Sequence, residues 1–245
     1  MKKYLCVFAL AMLVAAPAKA ALMLAGTIGG VNFCATDNNV ACGFGIQLLD
    51  VNASANILSL DPANIGGLDI QGSLYTQTIG THNVLNSGSL LIENNTAATI
   101  NGQLAVGGTG FIGPITEANI SGSGTWEDAA GSNITMRWFN DPTNTQGGLT
   151  PGAVQPGLLL STFADAAGAG TDSFSHTLNG IPVIDPALFS MSLQFDLSLV
   201  ADGNLVSRGQ TITKDQALVP EPASLTLMGL GLMGLAAKVR RRRVA

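Results

Sequence analysis

Histidine is nearly missing from this sequence: two in 245 residues, His82 and His176, beside three cysteines, two tryptophans and two tyrosines. So few imidazoles and thiols, none closely spaced, leave little material for a metal centre built on histidine and cysteine. The Gly-x-Ser-x-Gly elbow that presents a nucleophilic serine is also absent, and a catalytic triad would have to be drawn from two isolated histidines. Positive charge is scarce where it matters. The whole chain carries a net −5, but residues 21–219 hold only Arg137, Arg208 and Lys214 against 15 acids, a net −12. A segment this acidic repels phosphate, which excludes nucleic acid as a partner. Helical periodicity is scarce too, and the basic groups that remain cluster at the two ends.

At the N-terminus, Lys2 and Lys3 precede an apolar run from Tyr4 to Ala16, then Pro17 and the small-residue pattern Ala18-Lys19-Ala20. This is the three-part pattern of a secretory signal peptide spanning residues 1–20. The run of about 13 apolar residues is too short for a bilayer-spanning helix, which needs about 20. Cys6 leaves with the peptide, so two cysteines reach an oxidising compartment, and Cys34 and Cys42 are expected to form a disulfide around a polar turn.

At the C-terminus, Pro220-Glu221-Pro222 is followed by an uncharged stretch to Ala237, then Lys238 and Arg240, Arg241, Arg242 and Arg243. The two prolines keep Glu221 extended and outside any helix. The apolar stretch is at the short end for a transmembrane helix, and its glycines are tolerable in lipid. The basic block is a cytoplasmic stop-transfer signal by the positive-inside rule, which leaves Pro-Glu-Pro on the outer face.

Pro-Glu-Pro, a serine-bearing junction, a glycine-containing apolar run and a terminal arginine cluster, in that order, resemble the PEP-CTERM protein-sorting domain, the tag of exosortase substrates. The resemblance covers residues 220–245. It implies a Gram-negative bacterium, recognition at Pro220, Glu221 and Pro222 by a membrane-embedded exosortase, removal of the tail, and delivery to the outer surface or an exopolysaccharide matrix. The chain would be held in the membrane by its C-terminal helix until it is processed.

Between the signals, residues 21–213 are expected to form one all-β ectodomain, with residues 214–219 as a juxtamembrane spacer. The clearest pattern runs from Phe189 to Leu199, where Phe189, Met191, Leu193, Phe195, Leu197 and Leu199 alternate with polar residues. This predicts a strand with one buried and one wet face. The turn signal Ala201-Asp202-Gly203-Asn204 and a second run, Leu205 to Thr213, predict a hairpin. Further strands are expected at 26–33, 44–51, 57–60, 68–76, 89–93, 99–106, 120–126 and 133–139, with a second turn at Asn101-Gly102. Short strands with this punctuation predict an antiparallel β-sandwich or jelly roll. Residues 158–167 are the one expected helix, and residues 140–157, with three prolines and four glycines, a long loop.

The remaining candidates are weak. Glu127-Asp128 reads as solvated charge, and the glycine-rich run at 167–174 as a loop. Asp37-Asn38-Asn39, Asn140-Asp141 and Asp202-Gly203-Asn204 offer oxygens for a loop-bound calcium ion; no other cofactor is expected. Trp126, Trp138 and Tyr75 are the aromatics that could stack on a sugar if exposed. Trp138 shares a strand face with Ile134 and Met136 and is expected in the core, while Trp126, at the end of a polar strand, reads either as a sugar-stacking face or as a packing residue at a sheet edge. The reading is a non-enzymatic surface or matrix protein, structural or adhesive, associated with exopolysaccharide in a biofilm. The alternatives are a carbohydrate-binding, lectin-like module and, further off, a secreted hydrolase.

Overall fold

The computed structural model describes residues 21–79, 82–147 and 154–216. The signal peptide, the end of the spacer and the whole sorting signal therefore lie outside the described residues. Fourteen strands make two seven-stranded sheets that face each other, as expected for an all-β sandwich, with one 3-10 turn and no α-helix among the described residues. In chain order they are β1 (Leu22–Ile28), β2 (Val31–Thr36), β3 (Ile46–Gln47), β4 (Ile57–Ile65), β5 (Leu68–Ile79), β6 (His82–Asn86), β7 (Leu90–Asn94), β8 (Ile100–Ile112), β9 (Ile115–Glu127), β10 (Asn133–Asp141), β11 (Leu158–Ala166), β12 (Asp172–Asp185), β13 (Leu188–Leu199) and β14 (Asn204–Gln216).

The first sheet runs β11-β10-β13-β8-β1-β2-β3 and the second β12-β9-β14-β6-β5-β4, with β7 inserted between β14 and β5. β6 and β7 act as one interrupted strand. Each pairs with β5 on one side and β14 on the other, and the break falls at Ser87-Gly88-Ser89. Every ladder is antiparallel except β2–β3, a two-residue parallel contact.

The inner faces are apolar at every second residue. Leu193, Phe195 and Met191 on β13 meet Leu104 and Val106 on β8, Trp138 and Met136 on β10, and Ile120 and Ile212 from the facing sheet in one continuous core. Glycine sets how closely this core packs. A Cβ on Gly122 would lie 2.8 Å from Met136 Sδ and 3.0 Å from the Trp138 ring, so β9 leaves the space that the indole fills. At one end of the sandwich, the β1–β2 turn at Gly29 and the β4–β5 turn at Gly66 meet backbone to backbone. Both have positive φ, and a Cβ on Gly66 would lie 2.0 Å from Ile28 O.

Several expectations change. β13 and β14 are not a hairpin. β13 lies between β10 and β8 in the first sheet and β14 between β9 and β6 in the second, so Asp202-Gly203 turns the chain across the sandwich. The polar side of β13 is not wet either. Ser190, Ser192 and Gln194 are buried: the loop after β10 folds over the two serines, with Ser190 Oγ donating to Thr145 O at 2.7 Å and Gly147 against Ser192, while Gln194 Nε2 donates to Asp196. Residues 158–166 form the edge strand β11 and not a helix; their pairing with β10 carries a bulge at Trp138/Phe139 that breaks the period of two. The strand expected at 26–33 is two strands joined at Gly29-Gly30, and Asn101-Gly102 lies inside β8. β14 runs on to Gln216 and so takes in the first three residues of the expected spacer.

Candidate functional site

The expected disulfide is present. Cys34 and Cys42 are joined, with 6.4 Å between Cα atoms. Cys34 sits on β2, on the outer side of the first sheet, in a small cluster with Met23, Ala25 and Phe44. The loop it closes is tied by hydrogen bonds to the chain that follows it. Asp37 Oδ2 accepts from Asn56 N at 2.8 Å, Asp50 Oδ1 accepts from Asn52 N and Ser59 N at 2.9 and 3.0 Å, and Asn39 Oδ1 accepts from Asp50 N at 2.7 Å. Of the oxygens that looked available to calcium, Asp37 Oδ2 and Asn39 Oδ1 are therefore engaged with backbone N–H groups. Asp141 is used the same way, accepting from the hydroxyl and N–H of Thr143 and from Thr145 N. Desolvation alone would raise its pKa, but these bonds together hold it below the usual 3.8. Among the described residues, no three His, Cys, Asp or Glu side chains gather as metal ligands.

The two histidines do not share a site. His82, on β6, has its Nδ1 2.5 Å from Asp215 Oδ1 on β14, at the surface. His176, on β12, stacks on Phe163 with ring centroids 4.8 Å apart, and its Nε2 is 3.5 Å from Ser161 Oγ. One histidine has an acid and the other a hydroxyl, but neither has both.

Both tryptophans are buried. Trp138 is in the core, as its place beside Ile134 and Met136 predicts, and donates to Ser121 O at 3.3 Å. Trp126 donates to Asp165 Oδ2 at 2.8 Å and packs on Phe174, so it offers no face to a sugar, against expectation. Of the three aromatics considered for stacking, Tyr75 alone is partly exposed. It lines a shallow cleft of about 390 Å³ with Asn56, Ile57, Thr76, Gln77 and Thr78, and its hydroxyl accepts from Asn86 Nδ2 at 3.0 Å. Glu127 and Asp128 are exposed, as expected.

The most unusual group lies inside. Lys214 has a side chain with no solvent exposure, as has Asp185. Nζ is 2.6 Å from Asp185 Oδ2, donates to Asn140 Oδ1, and lies 4.4 Å from the centre of the Phe189 ring. Asn140 Nδ2 donates to Asp185 Oδ1 at 2.7 Å, which closes the triangle. Desolvation pushes the Lys214 pKa down to about 8, against the opposing pull of the hydrogen bond and charge of Asp185. Asn140 comes from β10 in the first sheet, Lys214 from β14 and Asp185 from β12 in the second, so the cluster bridges the sandwich. The sequence carried one sign of it. Gln210, Ile212 and Lys214 alternate on one strand face, which puts the lysine on the buried side with Ile212.

Residues 218–243 match the family described as the PEP-CTERM protein-sorting motif. The chain carries that motif and is by that mark an exosortase substrate. No curated protein sequence matches it. Among solved structures it is similar to TmCBM61 in complex with β-1,4-galactotriose, at 6% identity and a TM-score of 0.32 over 59% of this chain and 86% of that one. It is also similar to the C-terminal family 22 carbohydrate-binding module of Clostridium thermocellum Xyn10B, at 17% identity and a TM-score of 0.28 over 64% and 91%. A third is the carbohydrate-binding module CBM36 in complex with calcium and xylotriose, at 15% identity and a TM-score of 0.24 over 49% and 76%. Overlaps this partial carry no weight for the function of this chain.

Proposed function

We propose that the protein is a non-enzymatic component of the cell surface or extracellular matrix, exported by its signal peptide and released from the inner membrane by an exosortase. The observation that carries this reading is the sorting motif at residues 218–243. In it, Pro220, Glu221 and Pro222 are the recognition residues, the apolar run is the transient transmembrane helix, and Lys238 and Arg240 to Arg243 hold its cytoplasmic end. Association with exopolysaccharide, as a structural or adhesive part of a biofilm, follows from that route. The closed disulfide suits the oxidising side of the membrane, and the acidic domain suits a hydrated matrix.

The deciding comparison is wild type against Glu221→Ala in a host that has the sorting enzyme, by fractionation and intact mass. Wild type is expected to lose the tail and reach the outer surface or medium, while the variant keeps its tail in the membrane fraction. Wild type retaining its tail refutes the reading.

A second reading, glycan binding, has one observation behind it: the partly exposed Tyr75 beside amide and hydroxyl groups in an open cleft. It predicts a saturable glycan-array signal that Tyr75→Ala removes.

A further inference from the structure

Residues 21–219 contain three bases, and the fold buries one of them completely. A buried ion pair is weak as a source of stability, because removing both charges from water offsets much of their attraction. The lysine also has more around it than a counter-ion. Its Nζ contacts the carboxamide oxygen of Asn140, one bond from Cγ, and the same Asp185 carboxylate that holds Nζ through Oδ2 holds the Asn140 amide nitrogen through Oδ1. An amine against a carboxamide, with one carboxylate spanning the attacking and leaving nitrogens, brings together the groups that acyl transfer needs.

We propose that Lys214 and Asn140 become joined by an intramolecular isopeptide bond, formed in the folded domain with Asp185 as proton carrier. The Lys214 ammonium gives one proton to Asp185, and the neutral Nζ attacks Asn140 Cγ. As the tetrahedral intermediate collapses, a second Nζ proton passes through the carboxylate to Nδ2, the Cγ–Nδ2 bond breaks, and ammonia leaves. Nζ begins with three protons and ends with one. Of the two it gives up, one departs on the leaving nitrogen and the other leaves with it as ammonium or stays on Asp185. The step consumes no oxidant and no co-reactant. Burial favours it by keeping bulk water from competing with the amine, and Phe189 walls one side of the site. Desolvation, which lowers the lysine pKa to about 8, makes the proton that passes to Asp185 easier to remove. The bond would tie β10 of one sheet to β14 of the other, a modification independent of what happens at the sorting signal.

The sequence makes the test direct. Trypsin cuts after Arg137, Arg208 and Lys214, with no other site between Arg137 and Lys214, so a linear chain yields peptide 138–208 and a separate peptide from Gly209 to Lys214. The exported full chain is purified, its disulfide reduced, and its intact mass and denaturing tryptic digest compared with those of Asn140→Ala and Asp185→Asn. Wild type is expected to be lighter than its processed sequence by one ammonia. It should yield 138–208 covalently attached to a peptide beginning at Gly209, with no cleavage after Lys214. Both variants are expected to give separate peptides and cleavage after Lys214. Wild type with its full sequence mass and separate peptides overturns the proposal, as does loss of ammonia with the two peptides unattached. Retention of the cross-link in Asp185→Asn refutes the role of the carboxylate. The wild-type digest decides the bond itself even if a variant fails to fold.

Discussion

Opening the Cys34–Cys42 disulfide is expected to destabilise the domain by a calculable amount. The bridge closes a loop with a sequence separation of 8. The chain-entropy relation for a loop of this length gives about 2.5 kcal/mol, all of it from restricting the unfolded chain. Reduced wild type is a cleaner comparison than a serine variant, because Cys34 is fully buried against Met23 and Ala25 and its sulfur stays in place. The measurement is urea unfolding of the exported domain with and without reductant, followed by fluorescence of the two buried tryptophans. The midpoint is expected to fall with an altered slope, since the reduced denatured chain is less restrained. For a domain of this size the same change lowers Tm by about 5–10 °C. Locally, β3 should lose protection from hydrogen exchange first, because its ladder to β2 is only two residues long and the disulfide anchors the loop leading to it. A stability change within about 0.5 kcal/mol, the range of a neutral surface substitution, would refute the entropy argument. It would mean that the hydrogen bonds of Asp37, Asn39 and Asp50 already close the loop without the covalent link.

Gly66→Ala is expected to lower stability by more than about 2 kcal/mol, since a positive φ and a carbonyl 2.0 Å from the new Cβ act together. Gly43→Ala, with a positive φ but open space around it, should cost about 1 kcal/mol or less, and equal losses in the two melts would defeat the close-approach argument. Trp126→Ala should cost about 3–5 kcal/mol in the same assay, while Trp126→Phe leaves any glycan signal unchanged, because the indole faces Asp165 and Phe174 and not solvent. Asp141 has a carboxyl pKa lowered on folding, so its contribution is complete above pH 3.8 and is lost as pH falls below that value. Acid titration should therefore destabilise wild type more than Asp141→Asn in that window; parallel curves would remove Asp141 from the account.

The sequence made one face of β13 plain, because six apolar residues at a period of two have few other uses. What it could not convey was the neighbour. Asp202-Gly203 permits a tight turn, and a tight turn reverses the chain equally well within a sheet or from one sheet to the other, so the choice fell to distant strands β8, β9 and β10. The buried polar side of β13 was hidden for the same reason: Ser190 and Ser192 look solvated until the loop after β10 is placed over them. β11 was misread because its bulge and edge position expose Leu158 and Leu159, which blurs the strand period. The cysteine pairing was legible from compartment and count. The Lys214 cluster was legible only in part, since alternation with Gln210 and Ile212 puts the lysine inside, whereas Asn140 and Asp185 are 74 and 29 residues away along the chain. Trp126 is no surface aromatic because Gly124 lets the Phe174 ring close onto its strand, and that ring packs on the indole.

The position of β14 also fixes how the domain meets a mechanical load. It is the last described strand before the sorting motif, with β9 along one side and β6 and β7 along the other. Hydrogen bonds in an antiparallel ladder run perpendicular to the strands. A pull arriving from beyond Gln216 along the strand axis therefore loads both ladders sideways and together, where an edge strand pulled outward would peel open one bond at a time. A chain tethered from this end resists tension through the middle of a sheet.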